Sequence, residues 1–269
     1  MNEIEFMSGR KRWLVVFVFA VAMAWVEAAA VLYLRTLVDR IEPYQPKPFP
    51  VIGAMGWVEV AREAATLVML LAVGVLAGRA WRSRLGYAAI AFGAWDIFYY
   101  VFLKVMCGWP HSLMDWDILF LIPLPWWGPV LAPVLISLLL IFWGTLACRL
   151  EGTRTPVLPE LAATGVGAVG VVIGLQVFMA DALAAAHQGG DAVRNVLPTS
   201  FHWPLFCAAL LLMAAPAMQL LWFCLQGVCD IRSRAGSGRL ATPAKPGMNQ
   251  LRDAMSPGSA KDSYMDGRK

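Results

Sequence analysis

The chain has 269 residues, 59% hydrophobic and 15% charged, with a mean hydropathy of +0.62 and a formal net charge of +4. These values exclude an ordinary water-soluble domain, and the segments between the apolar runs are too short to form a separate soluble domain. The composition predicts an all-α integral membrane protein of six transmembrane helices, with a Pro-broken or re-entrant segment before helix four. Its expected divisions are a cytoplasmic N-terminus (1–12), a six-helix transmembrane domain (13–230) and a disordered basic cytoplasmic tail (231–269).

Residues 1–12 end in Arg10, Lys11 and Arg12, and the apolar run from Trp13 to Leu34 is long enough to span, interrupted by Glu27. A cleaved signal peptide is the competing reading. The run, however, resumes past Trp25 through Val31, Leu32, Tyr33 and Leu34, longer than such a signal needs. The loop 35–56 carries Pro43, Pro46, Pro48 and Pro50 and cannot be helical throughout. Helix two is expected from about Trp57 to Gly78, with Glu59, Arg62 and Glu63 in its first turns as an interfacial ion-pair turn or as pocket lining. Arg79, Arg82 and Arg84 close it.

Helix three is expected from about Leu85 to Val105. It carries Asp96 near its middle, with Tyr99, Tyr100 and Lys104 placed on the same flank. The stretch 108–135 departs from an ordinary span. His111 and Asp115 would share one face of a short helix begun by Pro110, and Asp117 stands before an apolar run, where an N-cap would be. Pro123, Pro125, Pro129 and Pro133 follow, and Leu124 precedes a proline, so a continuous helix through 118–135 is excluded. The expectation is an extended or re-entrant piece to about Trp126, then a helix from near Pro129 to Cys148. Irregular backbone at membrane depth needs protein or a water-lined cavity beside it.

Helix five, about Glu160 to Ala184, contains Gly165, Gly167, Gly170 and Gly174, the last two as GxxxG, a spacing that lets another helix approach closely; packing within the same chain is expected ahead of self-association. Loop 185–202 is polar, with His187, Asp191 and Arg194. Thr199 or Ser200 is expected to cap helix six, which runs to about Asp230 with a kink at Pro216. From Arg232 the composition turns to Ser, Gly, Pro, Lys and Arg, which predicts disorder. Five cysteines, Cys107, Cys148, Cys207, Cys224 and Cys229, follow neither a zinc nor a CxxC spacing, and no disulfide is assigned.

Six spans put both ends on one side. The N-terminus, 79–84, 149–154 and the tail are basic, and 105–116 and 185–202 carry little Lys or Arg. Both termini are therefore expected in the cytoplasm, in a cell inner membrane. Arg35, Arg40 and Lys47 then lie outside, against the rule. In this topology the ionisable residues within the spans gather in the outer half. Glu27 and Asp96 are deep enough that leaving them unpaired would cost a few kcal/mol or more, so both are expected to border one polar pocket.

The candidate catalytic residues are Glu27, Asp96, His111 and Asp115. The candidate pocket residues are Glu63, Tyr99, Tyr100, Lys104, Asp117, Trp127 and His202. One reading is a divalent metal activating water, held by some of Glu27, Glu63, Asp96, His111, Asp115 and His202, although no metal signature such as HExxH occurs. A second is a proton relay or a site for a small polar or quinone-like molecule, using Glu27, Asp96, Tyr99 and Lys104. A third is an accessory subunit whose pocket is filled by a lipid or a partner. Ser112 adjoins His111, but no GxSxG supports Ser-His-Asp chemistry. The partners expected are the lipid bilayer and membrane subunits, with no nucleic acid. Trp57, Trp109, Trp116, Trp126, Trp127 and Trp203 read as an interfacial aromatic belt.

Overall fold

The computed structural model describes residues 8–45, 53–121, 124–153, 157–194 and 196–237. Among them, six helices are long and apolar enough to cross a membrane, and the protein is an all-α polytopic membrane protein with one small strand pair. In chain order the elements are α1 (Gly9–Leu37), α2 (Gly53–Ala77), α3 (Trp81–Cys107), β1 (Trp116–Ile118), β2 (Trp127–Pro129) and α4 (Leu131–Arg149). They continue with α5 (Val157–Phe178), α6 (Ala180–Ala186), α7 (Gly190–Arg194), α8 (Trp203–Met213) and α9 (Ala215–Ser237). The chain forms two compact units, Met1–Leu225 and Gln226–Lys269, and the site described below lies in the first.

Helix α3 is the hub, packed against α1, α2 and α4. Its neighbours come close because the contact positions are small. On α1 the buried residues Val16, Ala20, Ala24, Glu27, Ala28 and Val31 recur every three or four positions, forming one stripe. Leu14, Val18, Val26 and Tyr33 point away from it, exposed as large apolar side chains are on a lipid-facing surface. Between α3 and α4 the backbones themselves meet. A Cβ on Gly144 would lie 2.4 Å from the Gly86 carbonyl oxygen, and one on Gly93 2.5 Å from that of Ser137. Association of helices within lipid rests on such small-residue packing rather than on hydrophobic transfer.

Helix α3 ends at Gly108, whose φ of 78° is the left-handed cap that glycine adopts without steric cost. No helix forms over 110–115, contrary to the expectation from Pro110. The Asp115 carboxylate accepts the His111 backbone N–H at 2.7 Å, and the Ser112 hydroxyl accepts that of Met114 at 2.9 Å. These local bonds take the donors a helix would use. Asp117 is likewise not an N-cap: it lies in β1, which pairs antiparallel with β2 in the register Trp116↔Pro129, Asp117↔Gly128 and Ile118↔Trp127. The broken stretch is thus a short hairpin, in which the Leu119 N–H donates to the Trp126 carbonyl and the Trp126 N–H to that of Phe120, both at 2.9 Å, while the Leu121 N–H finds Glu63 on neighbouring protein. Pro123 lies outside the described residues.

Three glycines of α5, Gly167, Gly170 and Gly174, pack against the same chain, as expected, whereas Gly165 meets nothing within 4 Å. Added Cβ atoms on Gly167 and Gly170 would meet Pro216 at 2.9 Å and the Ala209 carbonyl oxygen at 2.6 Å. The last span is interrupted at Ala214, between α8 and α9, because Pro216 has no N–H for the Leu212 carbonyl. The residue before α8 is His202, with no side-chain capping bond. Thr199 does not cap; its hydroxyl donates to Asp181 at 2.9 Å. Helix five stops at Phe178, short of Ala184, and restarts as α6. Helix α9 continues past Asp230 to Ser237, since 230–235 holds neither Gly nor Pro to end it, so residues 231–237 of the expected tail are helical. Residues 238–269 lie outside the described residues.

Candidate functional site

Four pieces of chain converge near the C-terminal end of α1 on a cavity of about 160 Å³. Helix α1 supplies Glu27 and Arg35, two turns apart on its buried stripe. Helix α2 supplies Glu59, Arg62, Glu63 and Thr66, which the 3.6-residue period places on one face. Helix α3 supplies Trp95, Asp96, Tyr99 and Tyr100, and the hairpin supplies Asp117 through Leu121. Arg40 and Pro43, from the segment after α1, complete the wall. The lining therefore holds five carboxylates (Glu27, Glu59, Glu63, Asp96, Asp117) and three guanidiniums (Arg35, Arg40, Arg62).

The charges are arranged in pairs with a remainder. Arg62 lies between Glu27 and Glu59 and pairs with both, and the Thr66 hydroxyl donates to the second Glu27 oxygen at 3.2 Å. Arg35 pairs with Asp117 at 2.9 Å and lies over the Trp109 ring, 4.4 Å from its centroid, a contact that stabilises a desolvated cation. Tyr100 hydrogen-bonds Asp117. Arg40 donates to the Pro43 carbonyl at 2.9 and 3.1 Å and to that of Gln45 at 3.2 Å, folding the segment back on itself. Burial pulls its guanidinium below the usual range.

Two carboxylates remain without a cation. Glu63, 8% exposed, accepts the Leu121 backbone N–H at 3.1 Å and so ties the hairpin to α2. Asp96, also 8% exposed, accepts the Ser137 hydroxyl from α4 at 2.8 Å. Among the described residues neither has a basic group within ion-pair distance. Beside them Trp95 is 7% exposed, and its indole N–H, buried, has no hydrogen-bond acceptor among the described residues.

The structure brings together Glu27, Asp96, Glu63, Tyr99, Tyr100 and Asp117 among the residues singled out from sequence. The others lie elsewhere. His111 is exposed and faces Asp115, with Nδ1 3.4 Å from the carboxylate, outside the cavity. Lys104 is exposed and donates to the Gly108 carbonyl at 2.8 Å, closing the end of α3. On α3 the lining residues Trp95, Asp96, Tyr99 and Tyr100 centre on the side of Asp96 away from Lys104, which lies about 110° round the helix from that centre and so off the pocket face. Trp127 is buried in the hairpin, and His202 is exposed at the start of α8. No histidine lines the cavity. Among the described residues no group of three His, Cys, Asp or Glu side chains could hold a metal ion, and these residues do not fit a divalent centre of the kind considered from sequence.

Arg35, Arg40, Thr66, Trp95 and Ser137 were not singled out as site residues. Arg35 had a signal, since it lies eight positions from Glu27 and so shares its face if α1 continues past Leu34. Ser137 and Arg40 had none, because their roles depend on α4 packing and on a loop that folds back. No family model, no curated protein and no solved structure matches the chain.

Proposed function

We propose that this membrane protein binds a small polar molecule in the cavity between α1, α2, α3 and the hairpin. The observation that carries the reading is that Glu27 and Asp96, on different helices at membrane depth, line one cavity in which Glu63 and Asp96 have no ion-paired cation among the described residues. Buried carboxylates kept only for stability would be paired; here pairing stops short beside a cavity with room for a small solute. The scale suits a small molecule rather than a polymer. The unfavourable metal geometry and the exposure of His111 and His202 favour ligand binding, with Glu63 and Asp96 as the contacting groups and Tyr99, Tyr100 and Asp117 as lining. Glu27 holds Arg62 in place.

We also place both termini in the cytoplasm and the cavity toward the outer face of an inner membrane. Support comes from Arg10, Lys11, Arg12, Arg79, Arg82, Arg84 and Arg149 at or near the span ends away from the cavity. The bilayer is the immediate partner, and a membrane subunit presenting the solute fits the same reading.

The test is thermal unfolding of the detergent-solubilised protein against a panel of ammonium, carboxylate and polyhydroxyl solutes. Saturable stabilisation by one class, weakened about tenfold or more in Asp96→Asn and in Glu63→Gln, is expected, since each removes a charged contact. Stabilisation by no class, or equal stabilisation of both variants and the parent protein, overturns the reading.

A further inference from the structure

We propose that the molecule taken by this cavity is a small organic ammonium ion carrying an oxygen acceptor, of the size and kind of ethanolamine. The inference rests on the binding reading above and adds the ligand class. Two independent observations carry it. Glu63 and Asp96 are buried carboxylates in the same lining without a cation among the described residues, which calls for a positive group. Trp95, in that lining and more than nine-tenths buried, has an indole N–H with no acceptor among the described residues; an oxygen on the ligand would satisfy it, since a buried donor left unmade is costly.

The aromatic groups agree with this choice. Trp95 and Tyr99 are stacked, with ring centroids 6.3 Å apart, and both line the cavity together with Asp96. Ring faces attract an alkylammonium ion and repel an anion. A guanidinium or metal ligand is less suited. Arg62 already fills the space between Glu27 and Glu59, and no cluster of three ligating side chains exists among the described residues. An anionic solute would meet two carboxylates while the three lining guanidiniums are engaged, Arg35 and Arg62 with carboxylates and Arg40 with the Pro43 and Gln45 carbonyls.

The probes are ethanolamine, ethylammonium (no oxygen), ethylene glycol (no charge) and glycolate (opposite charge), titrated by calorimetry into the full-length protein. Ethanolamine is expected to bind saturably, about fivefold tighter than ethylammonium, with the preference lost in Trp95→Phe. Ethylene glycol and glycolate are expected not to bind. Glu63→Gln and Asp96→Asn should each weaken ethanolamine about tenfold or more. The comparison of probes on the unaltered protein needs no variant to fold. Ethylene glycol or glycolate binding as tightly as ethanolamine overturns the ammonium class and leaves small-solute binding standing. Ethylammonium matching ethanolamine overturns the oxygen acceptor. No binding by either ammonium overturns the proposal, while binding of another class in the wider panel keeps the earlier reading. The ethanolamine headgroup of a phospholipid has the same chemistry. In phosphatidylcholine nanodiscs, competition by added phosphatidylethanolamine assigns the headgroup as the source and its absence assigns the free solute; both support the class.

Discussion

Glu151 illustrates what single residues do at the end of the bundle away from the cavity. It lies just past α4 and accepts from the Arg12 guanidinium at 2.6 Å, from the Ser83 hydroxyl at 2.5 Å and from the Arg79 backbone N–H at 2.9 Å. One carboxylate thereby joins the starts of α1 and α3 to the end of α4. Burial works to raise its pKa, but the Arg12, Ser83 and Arg79 bonds outweigh it and hold the group down at about 2. The folded value lies below the unfolded one, about 4.3 for a glutamate. Its contribution is therefore full above that unfolded value and is lost as pH falls toward about 2. Glu151→Gln is expected to cost about 1–2 kcal/mol at neutral pH, a loss of about 2–8 °C in Tm for a domain of this size. The gap between variant and parent should close between about pH 4 and pH 2; melting curves across that range in detergent check it, and a gap independent of pH would assign Glu151 a packing role instead.

At the scale of elements, helix positions follow from apolar length and small-residue stripes, and both are visible in the chain. The α3–α4 contact is the sharpest case, since Gly86, Gly93 and Gly144 let carbonyls approach within reach of a Cβ. Gly144→Val would place a branched side chain where 2.4 Å is available, and α3 backbone cannot yield as a flexible side chain would. Overpacking of this kind costs about 1–3 kcal/mol or more. The variant should melt several degrees lower, whereas Gly165→Ala, with nothing within 4 Å of its Cβ, should melt no lower; equal losses would remove the close contact as the reason for glycine at 144. The hairpin was legible only in part. Its prolines excluded a helix, but the pairing of Asp117 with Gly128 and the tie of Glu63 to Leu121 depend on partners 11 and 58 positions away. Local rules instead favoured a short helix begun by Pro110 and an N-cap at Asp117; the side-chain bonds of Asp115 and Ser112 defeated the first, and the pairing of Asp117 in β1 the second.

For the whole molecule, depth and charge in the sequence were enough to bring Glu27, Asp96 and the hairpin to one cavity, because a buried acid cannot face lipid at tolerable cost. They could not separate Tyr99, which lines it, from Lys104, which does not, without the helix phase. Nor could they find Arg40, whose place depends on how the segment after α1 turns back. The six spans also determine a test that no single site does. Ser112 and His187 are exposed in connections at the cavity end, and Arg79 is exposed between α2 and α3 at the other. Because successive loops alternate sides of the membrane, the loops at the two ends of the bundle must face opposite compartments. On a cysteine-free background, Ser112→Cys and His187→Cys should react with a membrane-impermeant thiol reagent added outside intact cells, and Arg79→Cys should react only after the membrane is opened. The positive-inside argument sets that direction. The reverse pattern would keep the six spans and invert the orientation, turning the cavity toward the cytoplasm, whereas all three reacting from one side would end the six-span arrangement.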